Sequence, residues 1–375
     1  MIFYLINPYS TTYSDIVKKR NPILFEAGRL RSQHILKTIN KKATVISLSI
    51  SRNKGFFREK KEVIDDQVNV IHLRTLNILK LERVFSLIFL LIYMLKHIRK
   101  KDKIIVYNAD PLIIFPLLIF KKIKKIAYVL QIEELYSSYK YRYLKGSIYN
   151  LSESLGIKYA NSYIINNEGI VKYLPLKRTY IVNRGYKTRL DDNYGIFSKT
   201  GKEIPIILYS GRLDFEGGIE VFLDSLKYIK KECKVIILGK GSLSNKVACF
   251  DDYNDNIVYS YLGFVSRKQF EELLIQAQIC INPIRAKEKF SNVSFPSKLL
   301  QYLEYGNILI SSCISEINNL GNLKEYIYIY HNDSSLELAT LINDLIDKTY
   351  DKLTIVKKVD KYFYKQDKSL KNFMN

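Results

Sequence analysis

The chain has 375 residues, of which 47% are hydrophobic, with 59 Lys and Arg against 37 Asp and Glu for a net charge of +22. That length suits two domains, and the apolar content excludes a disordered basic tail. Four cysteines with no CxxC pair exclude a disulfide scaffold or a zinc module.

The excess charge is uneven. Residues 1–190 hold 35 Lys and Arg against 13 Asp and Glu, and residues 191–375 hold 24 of each. One half of the molecule therefore carries a surface suited to an anionic partner, such as nucleic acid, a membrane or an anionic substrate. Solvated Lys on helix faces would explain many Lys, but not a neutral second half.

In chain order, Met1–Ile6 is apolar from the first residue, lacks a basic leader and ends at Asn7-Pro8, so it reads as a buried strand and not as a signal peptide. Further strands are expected at Ala43–Leu48, Val68–Leu73, Ile104–Tyr107, Ile126–Gln131 and Ser162–Ile165. The longest apolar run, Val84–Leu95, is broken only by Ser86. As a helix it is about 18 Å long at 1.5 Å per residue, too short for a hydrocarbon core of about 30 Å. Its flanks carry Lys80, Arg83, Lys96, Arg99, Lys100, Lys101 and Lys103. A second apolar run, Leu112–Phe120, is followed by Lys121, Lys122, Lys124 and Lys125. Apolar faces bordered by basic residues suit helices that lie on a membrane surface. The same runs would also serve simply to cover a sheet.

The segment from Arg184 to Glu203 is polar and carries Gly185, Gly195 and Gly201, as an interdomain linker would. In the second half, strands are expected at Ile204–Tyr209, Lys234–Leu238, Ile257–Tyr261, Ile279–Asn282, Ile308–Ser311 and Ile327–Tyr330. Helical periodicity separates them, as at Ile219–Lys230 and Lys268–Gln276. Continuous apolar strands alternating with helices predict parallel sheets covered on both faces. Two such sets predict domains at 1–190 and 204–350, a linker at 191–203, and a C-terminal helix at 351–375 packing back toward the first domain. Ligands of such folds bind at the carboxyl ends of the strands.

Three segments carry chemical signal. Tyr209-Ser210-Gly211-Arg212 ends a strand, with Gly217-Gly218 following. Gly211 allows a close turn, and the Arg212 guanidinium could hold a phosphate in two-point fashion or pair locally with Asp214 or Glu216. Gly239-Lys240-Gly241 is a second glycine turn at a strand end, a weak signal by itself. Ser294-Phe295-Pro296-Ser297-Lys298 opens a helix that stops at Gly306, with Pro296 expected at the first helical position. Unpaired amides at Ser297 and Lys298, with the Lys298 ammonium, suit a pyrophosphate.

These segments, with Leu262-Gly263-Phe264-Val265-Ser266, Ile281-Asn282-Pro283 and Phe295–Leu300, resemble in order the donor domain of family 4-type glycosyltransferases of the bacterial surface-polysaccharide kind. In the first half, Gln131–Ser137, Tyr163–Asn167 and Val182–Gly185 fall in the family's order. The resemblance implies the GT-B architecture, two facing Rossmann-like α/β domains with a cleft between them. It implies a retaining transferase that uses a nucleotide sugar as co-substrate, with no other cofactor and no obligatory metal. Arg212 matches the family's phosphate-binding Arg, and Lys298 with Ser297 matches its pyrophosphate helix. Gly211, Gly239 and Gly241 line the donor site, and Val265 lies where the backbone meets the base.

The chain departs from the family at three positions. Gly217 stands where a Lys is usual, and Lys298 is the candidate substitute. Val293 and Gln301 stand where a Glu pair is usual; Gln301 can still hydrogen-bond a donor, and Asn292 and Ser294 are candidates to hold a sugar hydroxyl in place of Val293. On the acceptor side, Glu133 and Glu134 end a strand, and either could take the acceptor's proton or be engaged by a local Lys or Arg. His34, His72, His97 and His331 form no evident metal cluster. The expected partners are a nucleotide-sugar donor, a lipid-linked or glycan acceptor and an anionic membrane surface. Nucleic acid is not expected, because no helix-turn-helix, zinc-finger or RNP-type signature is evident. The expected location is cytoplasmic, peripheral on the inner face of the cell membrane. The alternatives are a non-catalytic GT-B-like partner subunit and a sugar-nucleotide epimerase.

Overall fold

A computed structural model describes residues 1–7, 9, 26–48, 55–78, 81–138, 143–189, 204–285 and 292–375. The expected linker 191–203, with Pro8 and Lys80, lies outside these residues. The chain forms two compact units, residues 1–184 with 366–375, and residues 185–365.

The first unit is built on β1 (Ile2–Ile6), β2 (Ala43–Ser47), β5 (Val68–His72), β7 (Lys103–Tyr107), β8 (Tyr128–Ile132) and β9 (Ser162–Ile165), close to the expected runs. Four strands escape the sequence reading: β3 (Gly55–Phe57), β4 (Lys60–Val63), β6 (Thr75–Asn77) and β10 (Thr179–Val182). They are three or four residues long, and of them only Thr75 is fully buried, so they lack the long apolar run of the central strands. The sheet order is β10-β9-β8-β7-β1-β2-β5-β4, parallel except for antiparallel β4, and β3 and β6 form a separate antiparallel pair. The order reverses between β1 and β7, which sets a topological switch point at their carboxyl ends.

Side chains alternate across the strands. Ile2, Tyr4 and Ile6 of β1 pack with Ile35, Leu36 and Ile39 of α1 (Glu26–Ile39). Leu370 and Met374 join this core from the C-terminal helix. The helices α2 (Glu82–His97), α3 (Pro111–Lys124) and α4 (Tyr143–Tyr159) pack in a row, α2 on α3 and α3 on α4. Asp110 caps α3 by accepting from the Leu112 amide at 2.8 Å, with Pro111 at the first helical position. No helix among the described residues is long and apolar enough to cross a membrane.

The second unit has β11 (Ile206–Ser210), β12 (Cys233–Leu238), β13 (Ile257–Gly263), β14 (Ile279–Asn282), β15 (Ile308–Ser312) and β16 (Ile327–Tyr330). All pairs are parallel in the order β13-β12-β11-β14-β15-β16, so the switch point falls between β11 and β14. Helices α5 (Ile219–Ser225), α6 (Ser244–Ala248), α7 (Arg267–Gln276), α8 (Lys298–Glu304) and α9 (Ser335–Leu345) connect and cover it. The expected α/β class with parallel sheets in two domains is what the chain forms.

The last helix, α10 (Lys352–Met374), starts in the second unit and finishes in the first. Residues 184–189, read as the opening of a polar interdomain linker, are largely buried and held by specific bonds. The Arg184 amide donates to Gln366 Oε1 at 2.7 Å, and Gln366 Nε2 donates back to the Arg184 carbonyl at 2.8 Å. Glu304 accepts from the amides of Thr188 and Arg189 and from the Thr188 hydroxyl. Arg189 pairs with Asp360 at 2.6 Å.

Candidate active site

In the second unit, the turns after β11, β12 and β13 are laced together by backbone hydrogen bonds. The Gly211 amide donates to Leu238 at 3.1 Å, Leu213 to Lys240 at 3.2 Å and Gly239 to Gly263 at 2.8 Å. The glycines are what allow this approach. A Cβ on Gly239 would lie 1.9 Å from the Gly211 carbonyl oxygen, and one on Gly241 would lie 2.2 Å from that of Leu213. Gly211, Gly239 and Gly241 are thus brought together at the carboxyl edge of the sheet, and their glycine identity is demanded by chain packing itself.

Arg212 projects from this edge and is 56% exposed on its side chain. It takes the local partner: its Nε donates to Asp214 Oδ2 at 2.7 Å, and Glu216 lies 3.7 Å from Nη2. Asp214 in turn accepts from the Gly217 amide at 2.8 Å. Position 217, where a Lys is usual in the resembled family, has no room for one in this loop: a Cβ there would meet the Arg212 carbonyl oxygen at 2.3 Å.

The helix α8 is held against this edge by Tyr302, whose hydroxyl bonds the amide and the carbonyl of Ser210. Its first turn begins at Pro296, whose carbonyl accepts from Leu299, and regular α-helix starts at Lys298, two residues later than expected for Pro296 at the first position. The Lys298 ammonium sits 4.2 Å from the centre of the Phe270 ring on α7. Ser297 and Gln301 are half-buried, Ser294 and Val293 are buried, and Asn292 is exposed. Val265 is half-buried and precedes Ser266, which caps α7 in a reciprocal box with Gln269.

Sequence reasoning missed Arg285, which follows β14. Its guanidinium lies 3.9 Å from the Phe215 ring centre, its amide donates to the Glu216 carbonyl, and Nη1 donates to Asp333 at 3.2 Å. It fixes the loop that carries Arg212 from the other side. Its signal was only its place just beyond an apolar strand that ends in Asn282-Pro283.

In the first unit, strands end in amides and acids: Asn108 and Asp110 after β7, Glu133 and Glu134 after β8, Asn166 and Asn167 after β9, and Asn183 after β10. Glu133 is the centre of this set. Arg31 Nε donates to its Oε1 at 2.7 Å and Gln131 Nε2 donates to the same oxygen at 2.6 Å. Asn166 Nδ2 reaches Oε2 at 3.1 Å, and the Glu133 amide donates to Asn108 Oδ1. Arg31, 2% exposed, also donates to the Asn183 side chain and carbonyl. Tyr4 donates to Gln131 Oε1 at 2.6 Å, and burial raises its hydroxyl pKa far above the ordinary tyrosine value. The partner of Glu133 is therefore a buried arginine 102 residues away, a pairing that no local pattern announces. Glu134 is half-buried beside it.

Residues 204–348 match a family model described as glycosyl transferases group 1. No curated protein matches the chain by sequence. Among solved structures, the sucrose-phosphate synthase of Thermosynechococcus elongatus is similar with a TM-score of 0.66 at 12% identity, over 98% of this chain and 94% of that one. The lipopolysaccharide outer core galactosyltransferase WaaB in its apo form reaches 0.66 at 15% identity, over 100% and 99%. Anabaena HepE in complex with UDP-glucose reaches 0.64 at 12% identity, over 99% and 97%. At these identities the structural likeness is one of fold, and the family match is confined to the second unit. The chain has the GT-B fold of these glycosyltransferases, and residues 204–348 of its second unit are similar to the glycosyl transferases group 1 model.

Proposed function

We propose that the chain transfers a sugar, with retention, from a nucleotide-sugar donor to a lipid-linked or polysaccharide acceptor in cell-surface polysaccharide synthesis. It works at the cytoplasmic face of the membrane and needs no obligatory metal. The observation that carries the donor half is the edge formed by Gly211, Gly239 and Gly241, with Arg212 exposed upon it, inside the segment that matches the family model. The UDP-glucose complex of Anabaena HepE, a protein of the same fold, supports a nucleotide sugar as donor.

The chemistry follows from charge. Departure of the nucleotide leaves a diphosphate whose growing negative charge must be met by fixed cations and dipoles. Arg212 has the exposure to exchange Asp214 for a phosphate, and Lys298 supplies a second cation. The half-buried Gln301 and Ser297, the buried Ser294 and the exposed Asn292 offer hydrogen bonds to ribose, phosphate or sugar, and the Val265 backbone is assigned to the base. On the acceptor side, Glu134 or Glu133 receives the hydroxyl proton. The three donors gathered on Glu133 hold its carboxylate in one orientation.

Mass spectrometry of a nucleotide-sugar panel with the cell's own lipid extract as acceptor tests this reading. Donor-dependent addition of one sugar to a lipid is the expected result. Absence of transfer, of hydrolysis and of nucleotide binding with every donor overturns it.

A second reading, a non-catalytic partner subunit, has one observation in its favour: Val293 is buried and apolar where the resembled family presents a carboxylate. Nucleotide-induced thermal stabilisation without turnover under any condition would select it.

A further inference from the structure

We propose that the outer face of α2 and α3 is a docking surface for an anionic lipid bilayer. This rests on the reading of the chain as a transferase with a membrane-carried acceptor, and names the residues that meet the lipid.

Residues Val84, Ile88 and Ile92 follow one another at four-residue spacing on α2 and are 50%, 46% and 51% exposed, with Leu81 continuing the row at 47%. Such a row lies on one side of a helix. The opposite side of α2, with Ser86, Leu90, Tyr93 and Met94, is buried. The neighbouring α3 buries Ile113, Ile114, Leu117 and Phe120, and exposes Ile119 at 51% and Ile123 at 57%. Sheet covering accounts for the buried side of each helix. It does not account for a stripe of aliphatic side chains in water, which marks an interaction surface.

The charge around the stripe selects the partner. Residues 82–125 carry ten Lys and Arg and three acids. Glu82 and Asp110 are buried and the Asp102 side chain is 8% exposed, so little negative charge reaches solvent there. The helix α2 leads into β7 and α3 leads into β8, so both helices end at the amino edge of the parallel sheet. That edge gathers Lys96, Arg99, Lys100 and Lys101 from one helix and Lys122, Lys124 and Lys125 from the other, all exposed. Favourable placement at helix C-termini explains some of these cations, but not the aliphatic row beside them. Apolar side chains that enter the acyl boundary with cations at the headgroups are the signature of an interfacial helix.

Flotation of the full chain with unilamellar vesicles tests the assignment. The protein is expected to float with phosphatidylcholine vesicles that contain phosphatidylglycerol and to stay in solution with phosphatidylcholine alone. Ile88→Asn with Ile92→Asn, both at exposed positions, should lower partitioning about tenfold or more. Lys100→Gln, Lys101→Gln and Lys124→Gln together should lower it about a hundredfold, at about fivefold for each cation. The chain has no tryptophan. Ile92→Trp therefore introduces a single indole, whose emission should shift to the blue on anionic vesicles and be quenched by brominated lipid. Failure of the wild type to float, or an indole that stays in water, overturns the proposal. So does concentration-dependent self-association abolished by Ile88→Asn, which would give the face to a second copy of the chain. Transfer to a detergent-dispersed acceptor, measured in parallel, separates the two readings. Transfer without flotation removes the docking surface alone. Flotation without transfer, hydrolysis or nucleotide binding with any donor removes the enzymatic reading and leaves the docking surface standing.

Discussion

Tyr302 and Ser210 exchange two hydrogen bonds: the Ser210 amide donates to the tyrosine hydroxyl at 3.0 Å, and that hydroxyl donates to the Ser210 carbonyl at 2.9 Å. One buried side chain on α8 thus satisfies both backbone groups at the last residue of β11. Tyr302→Phe leaves both groups without this partner, at a cost of about 1–3 kcal/mol. Because α8 and the Arg212 turn are registered through this contact, turnover should fall about ten- to a hundredfold as well. Urea denaturation and a donor-turnover assay on the same variant check the two effects.

Arg212 offers the opposite combination. Its ion pairs with Asp214 and Glu216 are exposed, and exposed pairs contribute about 1 kcal/mol or less. Arg212→Ala should leave the unfolding midpoint nearly unchanged while cutting sugar transfer about a hundredfold or more. Lys298→Ala should also reduce transfer strongly. Unchanged rates in both variants would remove the donor assignment.

Gly239 combines a φ of 124° with a carbonyl oxygen 1.9 Å from where a Cβ would stand. Gly239→Ala must push the Gly211 turn away and strain its own backbone, at a cost of at least about 1–3 kcal/mol. A lowered melting temperature together with weakened nucleotide binding is the expected outcome, and calorimetry reads both.

In the first unit, Arg31→Met removes a guanidinium that serves Glu133 and Asn183 together. It leaves a largely buried carboxylate without its cation, so the loss should be about 3 kcal/mol. Glu133→Gln should be milder in stability, because Arg31 keeps both bonds to Asn183. Denaturant midpoints of the two variants give the order directly.

Burial pulls the Lys352 ammonium down to about 8, although it donates to the carbonyls of Ile275 and Ala277. Between that value and the ordinary 10.5, the unfolded chain binds more protons at this site than the folded one. Stability therefore gains from this residue as pH rises through the window, and its penalty is fully present below it. Lys352→Met lacks this slope. The difference in urea midpoint between wild type and variant, followed from neutral pH toward pH 10, should move in favour of the wild type.

The central strands were legible because each is a continuous apolar run of parallel-sheet kind, as at Ser162–Ile165 and Ile279–Asn282, where expected and observed bounds coincide. The strands β3, β4, β6 and β10 were not, because strands of three or four residues at the margin of the core carry too short a burial pattern to read. On the donor side, the positions of Gly211, Gly239 and Gly241 could be read from strand-then-glycine spacing, and the local pairing of Arg212 with Asp214 was among the readings. The pairing of Arg31 with Glu133 and the bracing of the Arg212 loop by Arg285 could not be read. Both join segments far apart in the chain, and contacts of that range are set by topology.

The helix α10 begins in the second unit and ends in the first, where Leu370 and Met374 lie against α1 and the Lys103 ammonium donates to the Met374 and Asn375 carbonyls. The first unit is therefore not a segment that can be cut out as residues 1–184. An N-terminal fragment would lack Leu370 and Met374 from the core that also holds Ile35, Leu36 and Ile39. During synthesis, this core stays incomplete until residues 366–374 have been made, so the first half of the chain finishes folding only after the second has emerged.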